Sequence, residues 1–233
     1  VQDLKDDEFV QSHNIVLCTK NGVIKKTALA DFSRPRTTGV NAITIVEGDE
    51  LLEARMTDGN SEIMMAVKSG RAIRFSEATV RATGRGAIGV GGIDVNDGKD
   101  QVVGMICVNP SVDAGKTVLV VSEKGYGKRT PVDEYRFTNR GGKGVKTINV
   151  TDKTGSLVGM LDVEPSQDLM ITCKSGVTIR MKVADISEQG RATQGVKLIR
   201  LDEGDEIAAI TRIDDQEVIP EVVEEVTASE ENP

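Results

Sequence analysis

The sequence predicts an all-β chain built as a propeller-like array of four-stranded antiparallel blades. Three observations lead there. One plan of four short apolar runs recurs, with turn glycines Gly22, Gly70, Gly125 and Gly176 spaced by 48, 55 and 51 residues, the scale of a propeller blade. The 24 glycines alternate with runs rich in Val, Ile and Thr, as strands joined by tight turns require. No apolar run approaches the roughly 18–20 residues of a membrane-spanning helix.

The units read in order as residues 14–60, 61–115, 116–166 and 167–213. Each opens on an apolar run: Ile15-Val-Leu-Cys-Thr19, Ile63-Met-Met-Ala-Val67, Val118-Leu-Val-Val-Ser122 and Leu169-Met-Ile-Thr-Cys173. Such runs suit buried strands. Each then meets a hairpin turn ending in glycine: Lys20-Asn-Gly22, Lys68-Ser-Gly70, Glu123-Lys-Gly125 and Lys174-Ser-Gly176. A basic second strand follows, with Lys26, Arg74, Arg129 and Arg180 each four residues past the turn glycine. A longer loop closes on Gly39-Val40, Gly89-Val90, Gly144-Val145 or Gly195-Val196, starting a third strand. An acidic turn such as Glu47-Gly-Asp49 or Asp202-Glu-Gly-Asp205 leads into the fourth, as in Leu51-Leu-Glu-Ala-Arg55. Residues 1–13 read as the remnant of a preceding blade, ending in Phe9-Val10, so the array is expected to begin upstream. Residues 214–233 form an acidic tail, for which disorder is expected. The absence of Trp argues against WD40 blades.

Composition narrows the function classes. Cys18, Cys107 and Cys173 are far apart, no Cys-x-x-Cys occurs, and His13 is the single histidine. Neither a zinc site nor a disulfide framework is expected, and reduced thiols suit a cytoplasmic protein. No signal peptide is visible in the charged opening residues. Net charge is −8, but the tail from Asp214 to Pro233 carries eight carboxylates and no Lys or Arg, leaving residues 1–213 neutral. Within that body, charge is sorted. The four windows 22–40, 70–90, 125–145 and 176–196 hold sixteen basic and six acidic residues, a net of +10, balanced by −10 elsewhere. Equivalent positions of a repeat occupy equivalent surface, so a positive band is expected.

The densest stretch is Glu134-Tyr-Arg-Phe-Thr-Asn-Arg-Gly-Gly-Lys-Gly-Val-Lys146. Glycines there allow tight turning and exposed N–H groups, and the cations supply charge, a combination suited to a polyanion. The expected phosphate contacts are Lys25, Lys26, Arg34 and Arg36 in the first unit, and Arg71, Arg74, Arg81 and Arg85 in the second. The third supplies Lys128, Arg129, Arg136, Arg140, Lys143 and Lys146, with Gly141, Gly142 and Gly144, and the fourth Arg180, Lys182, Arg191 and Lys197. Few aromatics favour duplex backbone over single strands, and no recognition helix is apparent, so readout of base sequence is expected to be weak.

Asn139-Arg-Gly-Gly-Lys-Gly144, with Asp31-Phe-Ser-Arg-Pro-Arg36, Gly125-Tyr-Gly-Lys-Arg-Thr130 and Gly190-Arg-Ala-Thr-Gln-Gly-Val196, closely resembles the DNA gyrase A C-terminal domain over nearly all of residues 1–213. The resemblance implies a β-pinwheel, a propeller-like disc whose blades exchange strands and whose basic rim wraps duplex DNA. It also implies a role in ATP-dependent negative supercoiling beside the rest of gyrase A and gyrase B in a heterotetramer. ATP and Mg²⁺ would then bind elsewhere, with no cofactor, metal or catalytic residue in this chain; the isolated domain is expected to be a monomer. Two departures stand out. The family's box reads Gln-basic-Arg-Gly-Gly-basic-Gly in the first blade, whereas Thr138-Asn-Arg-Gly-Gly-Lys-Gly144 lacks the Gln and first basic residue and sits in the third unit. The full pinwheel has six blades, so the true box is expected upstream. The related domain of topoisomerase IV, with fewer blades and a degraded box, is the near alternative. A protein-docking platform is the alternative of another class.

Enzyme signatures are weak. Tyr126 and Tyr135 fall outside the family's catalytic-domain pattern and read as packing or rim residues. Gly84-Arg-Gly-Ala-Ile-Gly89 fits Gly-x-Gly-x-x-Gly only superficially, without a βαβ context. No Walker loop occurs, and His13 has no partners for nucleophilic work.

Overall fold

The apolar runs and glycine turns fold as hairpins. The computed structural model describes residues 6–34 and 36–214. The first unit contributes β1 (Asn14–Thr19), β2 (Val23–Ala28) and β3 (Leu51–Thr57). The second contributes β4 (Glu62–Val67), β5 (Arg71–Ser76), β6 (Val90–Gly91) and β7 (Val102–Val108). The third contributes β8 (Thr117–Ser122), β9 (Tyr126–Pro131), β10 (Val145–Lys146) and β11 (Leu157–Val163). The fourth contributes β12 (Asp168–Cys173), β13 (Thr178–Lys182), β14 (Val196–Lys197) and β15 (Ile207–Ile213).

In every unit the first strand lies between the hairpin partner and the last strand, all antiparallel. The third strand leaves home. β6 pairs with β2 of the unit before, β10 with β5 and β14 with β9. Three sheets thus have four strands, while β13–β12–β15 has three, because among the described residues no later unit supplies a Gly-Val strand. The expectation of four strands in each blade is corrected to that extent. Gly39-Val40 lies outside any strand, since no earlier sheet among the described residues is there to receive it.

Glycine is required at the exchange. Gly144 has φ +68°, and a Cβ there would run into the backbone of Ala72. Gly70, at φ +81°, would place a Cβ 2.7 Å from the carbonyl oxygen of Ile148. A side chain at either position would push the exchanged strand out of register.

The core lies between consecutive sheets. Val16, Ile24, Ile63, Met65 and Phe75 join units one and two; Met64, Ile106, Val118 and Tyr135 join two and three; Leu119, Val121, Leu169 and Ile171 join three and four. β4 and β8 are therefore buried on both faces and read as unbroken apolar runs, whereas β12 alternates buried and half-buried because no described sheet covers its outer face. The last strands line the hub. There Gly104 packs on the backbone of Met160 and Gly159 on Ile210, close approaches that larger residues would prevent.

Asp7–Ser12 is an α-helix, α1, capped by Asp6 and burying Val10. Of the expected acidic tail, residues 215–233 lie outside the described residues.

Candidate nucleic-acid interface

The cation four residues past each turn glycine was expected to face a phosphate. Three of the four instead reach into the next unit. Lys26 Nζ donates to the carbonyl of Glu77 at 3.1 Å and pairs with its carboxylate at 3.6 Å. Arg74 donates to the carbonyls of Val132 and Tyr135 at 2.9 and 3.0 Å and pairs with Glu62 at 2.6 Å. Arg129 donates to the carbonyl of Ile186 at 2.9 Å. Each target belongs to, or directly follows, a 3-10 turn (Glu77–Thr79, Val132–Glu134 or Val183–Asp185). Such turns end in carbonyls that need donors. Lys26, Arg74 and Arg129 thus join blades. Arg180, with no described unit beyond it, pairs with Asp168 of its own hairpin at 2.6 Å and stays exposed.

Lys25 and Lys128 are also corrected. Both side chains are buried. Lys25 donates to the carbonyls of Ala42 and Arg85, both at 2.6 Å, and Lys128 to Gly190 and to the hydroxyl of Thr193 at 3.1 Å. Burial lowers both pKa values, that of Lys128 to about 8, with Glu134 opposing the shift and Arg191 adding to it; for Lys25 it is Asp31 that opposes. Neither ammonium faces solvent, so neither is placed to meet a phosphate directly.

The remaining cations stay at the surface, and Arg71, Lys143, Lys146 and Lys197 lie on or beside the exchanged-strand pairings. Arg34, Arg36, Arg71, Arg81, Arg136, Lys143, Lys146, Lys182 and Lys197 are exposed, and Arg85, Arg140 and Arg191 half-buried. Neighbouring loops are tied together. Arg140 of the third unit donates to the carbonyls of Gly91 and Thr79 in the second, at 2.9 and 3.2 Å. Arg191 of the fourth donates to Lys146 of the third at 3.1 Å, and Arg71 of the second to Lys143 and Gly144 at 3.0 and 2.9 Å. The Gly141 amide donates to Gly92, and the carbonyl of Gly142 accepts from Asp94. Gly141 and Gly142 are exposed at the outer surface of that junction. The loops of units two, three and four thereby form one continuous edge, with Lys143 and Lys146 near its middle.

Phe137 was not among the expected contacts. It is 54% exposed in this basic loop, with the Arg74 guanidinium 6.0 Å from its ring centroid. Its signal in the sequence was an aromatic flanked by Arg136 and Arg140. Lys99, outside the four basic windows, lines a cleft with Lys143, and Lys153, also outside them, lines one with Lys197.

Enzyme-like features resolve as packing. Tyr135 is buried, its hydroxyl bonded to that of Thr147 and its pKa pushed up to about 12 by burial. Residues 84–89 form a turn and loop outside any βαβ unit. The three cysteines are free, and burial raises their pKa, that of Cys107 to about 12. Among the described residues no group of three or more His, Cys, Asp or Glu side chains could hold a metal, and no helix is long and apolar enough to cross a membrane.

Comparison with known proteins matches residues 13–58, 61–109, 116–164 and 167–214 to the family model described as DNA gyrase C-terminal domain, beta-propeller. The DNA gyrase A protein of Staphylococcus aureus strain MRSA252 is 44% identical over 99% of this chain and 25% of that protein's length. Its counterpart from Staphylococcus epidermidis ATCC 12228 is 42% identical over 93% of this chain and 24% of its own length. The chain thus spans about a quarter of these relatives. A solved DNA gyrase A C-terminal domain superposes with TM-score 0.77 at 26% identity, over 91% of this chain and 68% of that one. The C-terminal domain of a DNA topoisomerase IV shares the fold at TM-score 0.81 and 20% identity, over 92% and 64%.

Proposed function

This chain belongs to the DNA gyrase C-terminal domain family, and from that premise we propose that it binds and wraps duplex DNA along its basic edge. It acts as a non-catalytic part of gyrase A. In the assembled enzyme it works beside the remainder of gyrase A and gyrase B, which supply DNA cleavage and ATP hydrolysis, and its wrap sets the sign of supercoiling. The bacterial cytoplasm is where such an enzyme meets its DNA.

Support comes chiefly from one observation. Loops of three successive units are tied to one another, and they carry exposed cations, Lys143 and Lys146 among them. A duplex presents one charge about every 1.7 Å of axis, so an extended run of cations engages it better than a pocket does. The contacts are non-specific, made by Arg34, Arg36, Arg81, Arg136, Lys143, Lys146, Lys182 and Lys197, with Arg71, Arg85, Arg140, Arg180 and Arg191 at its margins.

Titrating a duplex against a salt series tests this. Affinity is expected to fall steeply with salt, with a log–log slope of about −0.9 per neutralised phosphate. Lys143→Glu with Lys146→Glu is expected to weaken binding and flatten the slope. Lys20→Gln with Lys174→Gln, at turns where those lysines pair with Glu50 and Glu206, is expected to leave both unchanged. A flat salt response of the unaltered chain contradicts the proposal. It would favour docking of an acidic protein only if such a partner bound instead.

A further inference from the structure

Three residues past the four turn glycines stand Lys25, Ile73, Lys128 and Ile179. Lys25, Ile73 and Lys128 point at the loop of the next unit. Ile73 does so as an apolar support, its Cδ1 lying 3.7 Å from where a Cβ on Gly142 would be. Lys25 and Lys128 do it with a buried ammonium held only by carbonyl and hydroxyl oxygens. Neither forms an ion pair with a carboxylate among the described residues. Asp31 lies near Lys25, and Glu134 and Arg191 near Lys128.

A buried charge without a counter-ion is costly, and an apolar residue of similar size is often the more stable choice. Ile73 shows that the site accepts one. What the lysines hold suggests why they are there. Lys25 grips the carbonyl of Arg85 itself, and Lys128 the carbonyl of Gly190, one bond from the amide of Arg191. Arg85 and Arg191 occupy the same place in their units as Arg140, each fifteen residues past the turn glycine. In the third unit, Gly141 and Gly142 shape the loop and Ile73 suffices beneath it. In the second and fourth, where the residues after the arginine are Gly86-Ala87 and Ala192-Thr193, an ammonium pins the peptide instead.

We propose that Lys25 and Lys128 are positioning residues of the DNA-binding edge: each draws loop carbonyls inward and thereby fixes the loop that carries Arg85 or Arg191 in the following unit. This rests on the DNA-binding function proposed above. A lysine acting in this way neutralises no phosphate itself. Its removal should therefore lower affinity without changing the number of counterions released.

The test uses Lys25→Ile and Lys128→Ile, the residue that units two and four already carry, with Lys128→Met as a second variant should the branched side chain fit poorly. Each is followed by thermal unfolding, by amide hydrogen exchange over residues 84–88 and 189–193, and by duplex titration at several salt concentrations. Expected is a folded protein with faster exchange in the loop of the following unit. Affinity should fall about 3–10-fold at fixed salt, the scale of one lost ordering hydrogen bond, with an unchanged slope. Unchanged exchange overturns the clamp whether or not DNA binds. Unchanged affinity with faster exchange overturns the positioning role, and a slope flatter by about 0.9 makes the lysine a direct phosphate contact instead. Failure of the unaltered chain to bind at any salt would reject the DNA-binding function itself, a result distinct from all three.

Discussion

Arg74 shows how far a cation's role depends on what its position can reach. In the sequence it is one of four equivalent basic residues. In the fold its guanidinium joins Glu62 of its own sheet to the carbonyls of Val132 and Tyr135 in the next. Arg74→Ala strands half-buried Glu62 and two carbonyls, so unfolding stability should fall by about 2–4 kcal/mol, the range for breaking a partly buried pair. Denaturant melts measure this, and Lys143→Ala, which removes an exposed cation, should change stability by no more than about 0.5 kcal/mol. Lys128 adds a pH dependence of definite sign. Its pKa is depressed in the folded chain to about 8, against 10.5 for the free group. Between those values the unfolded chain binds more protons, so the burden of the buried charge is relieved as pH rises through about 8 toward 10.5. Unfolding midpoints of the unaltered chain should accordingly gain on those of Lys128→Met across that window. A constant difference would mean that the ammonium is not desolvated as described.

At the scale of elements, the hairpins were plain in the sequence because their signals are local. An apolar run, a polar turn and a glycine are all that β4, β5 and their turn need. The exchanged strand was not plain from the pattern. β10 is two residues long and pairs with Ala72, more than seventy positions away, and its Gly-Val pair looks the same whether it stays or leaves. Exchange was an expectation only through the family resemblance. Residues 7–12 show no helical period around Phe9-Val10, yet the capping carboxylate of Asp6 starts a helix there. The same locality explains the mixed outcome at the candidate site. A count of charges by window does not tell which cations turn inward, since Lys25 and Lys26 are adjacent and both buried against the next unit. Gly144→Ala tests the exchange directly. A Cβ there meets the backbone of Ala72, so the β10–β5 pairing should loosen, with a drop of about 1–3 kcal/mol in stability and faster amide exchange at residues 145–146. Gly48→Ala, whose site is open, carries only the cost of its positive φ.

Over the whole molecule, stability and the proposed function draw on different sets of cations from the same windows. Those that turn inward stitch one blade to the next and keep the four sheets in succession about their hub. Those that turn outward stay exposed on loops that this succession ties together. Outside the basic windows residues 1–213 carry a net charge of −10, so under the proposed function a duplex would be steered toward the windows, which selects a path as well as an affinity. A path along a curved edge has a handedness, and a nicked circle ligated with the chain bound records it. The resulting circles should show a linking-number distribution displaced in one direction, growing with protein added and abolished by Lys143→Glu with Lys146→Glu. A distribution centred where it lies without protein, under salt conditions in which the duplex is demonstrably bound, would contradict wrapping along this edge.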